Sequence, residues 1–180
     1  MRRARLDDAT AIANLHAESW RRAYRGILRD EFLDAPVFED RETLWKNRLS
    51  LPGDPEHQLV LLIEQESQLV AFVCVMLDTD PEWGALVDNL HVSAEWSGQR
   101  FGSKLMTSAA AWAIAHRPHT RLHLWVYEAN VAARRFYERL GGEVVDRHAE
   151  LAPDGTRIDA VRYGWRALAG LAAGAVDAAG

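Results

Sequence analysis

Two stretches of the chain combine residue types and spacings suited to chemistry. The first, residues 86–105, reads as an apolar strand, a polar loop holding Gly98 and Gly102, and a helix start. Such a loop gathers unpaired backbone N–H groups at one spot, where the helix dipole also favours negative charge. It is a natural cradle for a pyrophosphate. Arg100 and Lys104 can add charge there, while the plainer reading of the glycines is a tight turn. The second stretch, residues 122–142, runs from a strand into a helix. Asn130 stands where a helix cap is wanted, a role worth about 1 kcal/mol. Phe136 and Leu140 are four residues apart and face the core. Tyr137 lies on the adjacent face, and its hydroxyl can give up a proton if held near a leaving group.

The rest of the chain must position these residues. A short strand is expected at residues 3–6, followed by a helix whose start is marked by Asp7 and Asp8. In that helix Ile12, Leu15, Ser19 and Ala23 share a face, with Trp20 and Tyr24 one turn apart beside it. Gly26 stops it. Asp30 caps a short helix carrying Phe32 and Leu33, and residues 38–49 form another, with Leu44, Trp45 and Arg48 in one neighbourhood. Pro52, Gly53, Asp54 and Pro55 mark a loop. Strands follow at 58–64, 69–77 and 85–92, the first two close enough for a hairpin. A helix over 101–116 ends at Pro118; a strand covers 121–127, and a helix over 130–140 stops at Gly141 and Gly142. Residues 143–151 and 157–165 close as a hairpin around Asp154 and Gly155. Hairpins mixed with strand–helix–strand crossovers give an α/β fold, a partly antiparallel central sheet with helices on both faces. Residues 1–166 make one domain, and the Ala/Gly-rich residues 167–180 are expected to form a loose tail.

Composition narrows the function classes. Lys and Arg number 21 against 26 Asp and Glu, a net charge of −5 that argues against a nucleic-acid-coating protein. The single cysteine, Cys74, allows no internal disulfide and sits in an apolar strand, where a buried inert thiol is expected. No apolar run has the length of a membrane span, so a cytoplasmic location without a membrane partner is expected. His116, His119 and His123 share no helical face, so no metal site is expected.

Together the two stretches resemble the GNAT superfamily of acyl-CoA-dependent N-acyltransferases. The pattern N-x-x-A-x-x-F-Y-x-x-x-G-[FG] is matched by Asn130, Ala133, Phe136, Tyr137, Gly141 and Gly142, and the element order agrees over residues 3–165. The resemblance implies a GNAT-type mixed sheet and acetyl-CoA as co-substrate, laid in a V-shaped opening between two parallel strands. It implies that the backbone of Leu90, His91 and Val92 meets the pantetheine arm and the thioester oxygen. Ser97, Gly98, Gln99, Arg100, Phe101, Gly102 and Ser103 would hold the pyrophosphate, Asn130 and Ala133 would contact the cofactor, and Tyr137 would protonate the departing thiolate. The family's loop reads [RQ]-x-x-G-x-[GA]; here Ser97 replaces the first residue and Arg100 the middle glycine. If that position needs a positive φ, arginine costs about 1 kcal/mol or more; if it is helical, Arg100 can help hold phosphate.

A thioester needs a neutral amine to attack it, so an ammonium acceptor must first lose a proton. Asp88, in the strand beneath the expected acyl group, is the first candidate base, with His91 and Glu128 as alternatives. The resemblance implies that the N-terminal helices and the turn before the strand at 85–92 form much of the acceptor pocket, where Trp20, Tyr24 and Trp83 would make a wall for an apolar or aromatic amine or a cation held over a ring. The expected acceptor is a small-molecule or protein amine, and a homodimer is expected from the resemblance. The competing reading is a catalytically weak CoA-binding sensor or interaction module of the same fold.

Overall fold

A computed structural model of the chain describes residues 1–50 and 57–174. In order, the elements are β1 (Arg2–Arg3), α1 (Ala9–Ala23), α2 (Asp30–Asp34), α3 (Pro36–Ser50), β2 (Gln58–Gln65), β3 (Gln68–Asp80) and β4 (Gly84–Val92). There follow α4 (Phe101–His116), β5 (Leu122–Tyr127), α5 (Val131–Arg139), β6 (Glu143–Leu151), β7 (Arg157–Trp165) and α6 (Ala169–Ala172). The seven strands form one sheet in the order β1-β2-β3-β4-β5-β7-β6. All neighbours are antiparallel except β4 and β5.

The alternation of β3 explains the layering. Phe72 and Cys74 face one way and pack with Ile12 and Leu15 of α1 and Trp45 of α3. Val73 and Val75 face the other way and pack with Leu105, Met106 and Ala109 of α4. Side chains alternate across a strand, so β3 is apolar on both faces because helices cover both. Trp45 and Phe72 are fully buried and meet edge to face at 5.2 Å. Truncating either to alanine costs about 3–5 kcal/mol.

Two irregularities in β4 matter for function. Cys74 pairs with Asn89 but Val75 pairs with Val87, so Asp88 is an extra, bulged residue. A bulge bends its strand and resets which face the next residues take. Accordingly Ala85 and Val87 pack toward α4, while beyond the bulge Leu90 and Val92 resume that face. Next, β4 and β5 are in register only at Ala85–Leu122 and Leu86–His123. Beyond those pairs the two strands separate, and the sheet opens.

Most expected elements lie within a residue or two of those found. The first strand is shorter than residues 3–6, because Asp8 accepts from the Arg5 N–H and from Arg2, turning residues 6–8 into a 3₁₀ turn. The tail expectation fails over residues 168–172. Leu168 and Leu171 are buried, and α6 packs on the α4 side of the sheet. Two leucines at i and i+3 suffice to dock a short turn of helix. The expected loop at Pro52–Pro55 and residues 175–180 lie outside the described residues. Among the described residues no helix is long and apolar enough to cross a membrane.

Candidate active site

The opening between β4 and β5 is a cleft of about 1150 Å³. One side is walled by α1 and β4, the other by β5, α5 and residues of β6 and β7, and its mouth is the loop before α4. Among the described residues, no strand lies beside the β5-facing edge of β4 beyond Leu86. Its peptide groups are therefore free to pair with an extended ligand, as a missing strand would. Leu90, His91 and Val92 lie on this stretch and line the cleft. The Val92 carbonyl accepts from Arg22 at 3.2 Å.

The loop turns through two left-handed residues, Gly98 at φ +82° and Arg100 at φ +60°. Arg100 is the N-cap of α4, and its carbonyl accepts the Lys104 N–H at 2.9 Å. The amides of Phe101, Gly102 and Ser103 precede that bond, and helix geometry leaves them without intrahelical partners. Of the two readings for Arg100, the left-handed one holds: arginine here carries about 1 kcal/mol of strain that glycine would not. Gly102 serves packing. A Cβ there would meet the Phe136 ring at 3.0 Å, so its absence lets the first turn of α4 close on α5. Ser97, Gly98, Arg100, Phe101, Gly102 and Ser103 line the cleft, whereas Gln99 is exposed and does not. Loop, free amides and unpaired strand edge fit a long ligand with a diphosphate at one end and amides along its length, such as an acyl-CoA.

Asn130 caps α5, its Oδ1 accepting the Ala133 N–H at 3.1 Å, and both residues line the cleft. Tyr137 is buried among Phe136, Tyr163 and Trp165, yet borders the cleft. Burial, reinforced by Tyr24, raises its phenol well above the ordinary tyrosine range, so the proton stays on at neutral pH. Among the described residues its hydroxyl takes no hydrogen-bond partner. By contrast the Tyr163 hydroxyl donates to Glu138 at 2.6 Å.

The candidate bases fare differently. Asp88 lines the cleft, but its Oδ2 is 2.6 Å from Arg48 Nη1, which also donates to Asn89 Oδ1 at 2.9 Å. Arg48 thus clasps the bulge and engages the Asp88 carboxylate. His91 points to the α1 side, its Nδ1 2.9 Å from Ser19 Oγ and its ring 4.3 Å from that of His16. Burial, with Arg41 and Arg22 nearby, pushes its pKa down to about 3, so it stays neutral where an ammonium would need a base. Glu128 is engaged by Arg147 and does not line the cleft.

The aromatic wall divides. Trp20 and Tyr24 line the cleft and meet edge to face at 5.2 Å, with the Arg41 guanidinium 4.4 Å from the Trp20 ring. Tyr127 stands 5.0 Å from Tyr24 across the opening. The assignment of Trp83 to this wall is corrected. It lies in the turn before β4, at the end where β4 and β5 still pair, buried against Gly164, where a Cβ would come within 2.3 Å of its ring. Sequence reasoning missed Arg48, Tyr127 and Glu150. Arg48 had a signal in its helical neighbourhood with Trp45. Glu150 had none, because its place in the cleft depends on how β6 pairs with β7.

Comparison with known proteins agrees with this geometry. Residues 11–142 match the model of the acetyltransferase (GNAT) family. The chain is 28% identical over 176 residues to the uncharacterized N-acetyltransferase YuaI of Bacillus subtilis, covering 95% of each. Its fold is similar to that of the PaiA N-acetyltransferase of Thermoplasma acidophilum in complex with coenzyme A (TM-score 0.69, 19% identity, 88% of this chain and 95% of that one). It is also similar to YncA of Salmonella typhimurium with acetyl-CoA (TM-score 0.64, 17% identity, 92% and 91%). Splayed strands, glycine loop and strand–helix motif thus meet a family match covering most of the chain, which belongs to the GNAT family of acetyltransferases.

Proposed function

We propose that the protein moves an acetyl group from acetyl-CoA to a primary amine by direct attack within a ternary complex. The observation that carries this reading is the cleft between β4 and β5, with free helix amides at its mouth and Tyr137 on its wall. Bound acetyl-CoA supplies an activated acyl carbon and a thiolate leaving group. The loop amides from Ser97 to Ser103, with Arg100, hold the diphosphate at the positive end of α4. The main chain of Leu90, His91 and Val92 takes up the pantetheine arm, and a β4 N–H meets the carbonyl oxygen, where charge develops. Asn130 fixes the start of α5 and, with Ala133, borders the arm. Tyr137, protonated and free of a protein acceptor, gives its proton to sulfur as the C–S bond breaks. Trp20 and Tyr24 form one side of the acceptor's seat. Asp88 serves the site through the Arg48 clasp that holds the bulge, rather than as the base.

Calorimetry with acetyl-CoA, followed by thiol release on a panel of amines, tests this. Expected are saturable binding and amine-dependent release; absence of heat at millimolar ligand overturns the cofactor assignment. One observation favours a second reading, a CoA-binding sensor: the strained Arg100 stands in the loop that would hold phosphate. Tight binding without turnover on any amine selects that reading.

A further inference from the structure

Resting on the transferase reading, we infer that Glu150 is the proton acceptor for the acceptor amine, and that the acceptor is an aliphatic amine arriving as its ammonium. Glu150 lies on β6 and lines the cleft beside Tyr127 and Ala160, across from the wall made by β4 and α1. The other carboxylates of this neighbourhood are spoken for. Asp88 is held by Arg48, Glu128 by Arg147, and Asp154 by the Arg29 and Thr156 amides. Glu150 instead pairs with an imidazole, His148 Nε2, at 2.8 Å. His148 is not a guanidinium, so Glu150 faces the cleft without the arginine clasp that holds Asp88 and Glu128.

The surroundings suit proton transfer. The His148 ring meets Trp125 edge to face at 4.2 Å, and the other partner of Trp125 is the Arg162 guanidinium, 4.7 Å from its ring. That packing fixes the imidazole. Both His148 and Glu150 side chains remain about 40% exposed, so a proton taken from the cleft has a way out to water. The rings of Trp20, Tyr24, Trp125 and Tyr127 border the same space and favour a cation over their faces. In the step, one N–H bond of the ammonium breaks, its electron pair stays on nitrogen, and the proton passes to a Glu150 oxygen. The neutral amine then attacks, and His148 exchanges the proton with solvent. Nothing is oxidised or reduced. Tyr127 on β5, which borders this spot, feels Glu150 together with Tyr24 on α1, Asp154 in the β6–β7 turn and Arg41 on α3.

The test compares wild type with Glu150→Gln on two amines: phenethylamine, charged at neutral pH, and aniline, uncharged there. Melting temperature and acetyl-CoA affinity serve as controls and should not move. We expect kcat/KM for phenethylamine to fall about a hundredfold at pH 7 and to recover as the pH is raised. Aniline should lose less than threefold. Equal losses on both amines, an unchanged pH profile, or a raised KM with unchanged kcat overturns the assignment of Glu150 while leaving the transferase reading intact. Cofactor binding by wild type with no turnover on any primary amine overturns both. A variant that melts early is replaced by Glu150→Asp, which should retain the pH profile with lower kcat; loss of the profile there also counts against the proposal.

Discussion

The two sides of the cleft are built differently. On the side proposed for the cofactor, each candidate group sits within a few residues of a helix or strand end: the loop before α4, the cap of α5, and Tyr137 two turns further on. On the acceptor side the groups come from distant segments. Ser19, Trp20 and Tyr24 lie on α1, Arg48 on α3, Asp88 and His91 on β4, Tyr127 on β5 and Glu150 on β6. The proposed co-substrate, acetyl-CoA, is one molecule with a fixed diphosphate and two amides, so under that proposal local backbone geometry suffices to hold it. The proposed acceptor has no such constant part, and its seat is assembled from α1, α3 and several strands of the sheet. The charges divide in the same way. Arg22 and Arg100 line the cleft near the loop before α4, whereas the carboxylates Asp88 and Glu150 line it from β4 and β6.

The contrast can be broken or sharpened by substitution. Tyr137→Phe should cause the largest change, lowering turnover by about a hundredfold or more while leaving the melting temperature nearly unchanged. An equal loss of stability would make Tyr137 a core residue and remove the cofactor side's main catalytic claim. Arg48→Met should follow. It leaves the half-buried Asp88 and the Asn89 amide without their donor, and should cost about 2 kcal/mol in denaturant unfolding. It should also lower kcat/KM by freeing the bulge; a stable variant with full activity would show that the bulge needs no clasp.

Acid sensitivity should come from the acceptor side. His91 has its pKa lowered from 6.5 to about 3 by burial, and His16 is lowered too, by burial and by His91. The unfolded chain therefore takes up these protons first. Stability is complete above the usual histidine pKa and declines as pH falls below it, by about 1.4 kcal/mol per pH unit for each such imidazole. His91→Gln should flatten the fall in unfolding midpoint between pH 7 and 5; an unchanged slope would place the titration elsewhere. The smallest effect belongs to the loop. Arg100→Gly should relieve about 1 kcal/mol of left-handed strain and raise the melting temperature by about 2–4 °C. A lower melting temperature would mean that the arginine makes contacts worth more than its strain.

The elements on the side proposed for the cofactor were legible because local rules govern them. The spacing from Asn130 to Gly142, the glycines before α4, and the helix limits at Phe101 and His116 follow from capping, φ preference and periodicity, which act over a few residues. Even there, the left-handed φ of Arg100 does not follow from residue type, which favours the right-handed region for arginine. Of the aromatic residues assigned to the acceptor wall, Trp20 and Tyr24 line the cleft and Trp83 does not. Composition cannot say that a tryptophan in the turn before β4 lies at the closed end of the sheet.

By itself the sequence determined the α/β element order, the place of the glycine loop and the motif holding Asn130 and Tyr137. Only the tertiary structure decided where β4 leaves β5, which carboxylates are already paired, and that Glu150 reaches the cleft. The physical reason is range. Caps and turns are settled by neighbouring peptide groups, whereas a one-residue bulge at Asp88 and the pairing of β6 on β7 are settled by strands far apart in the chain.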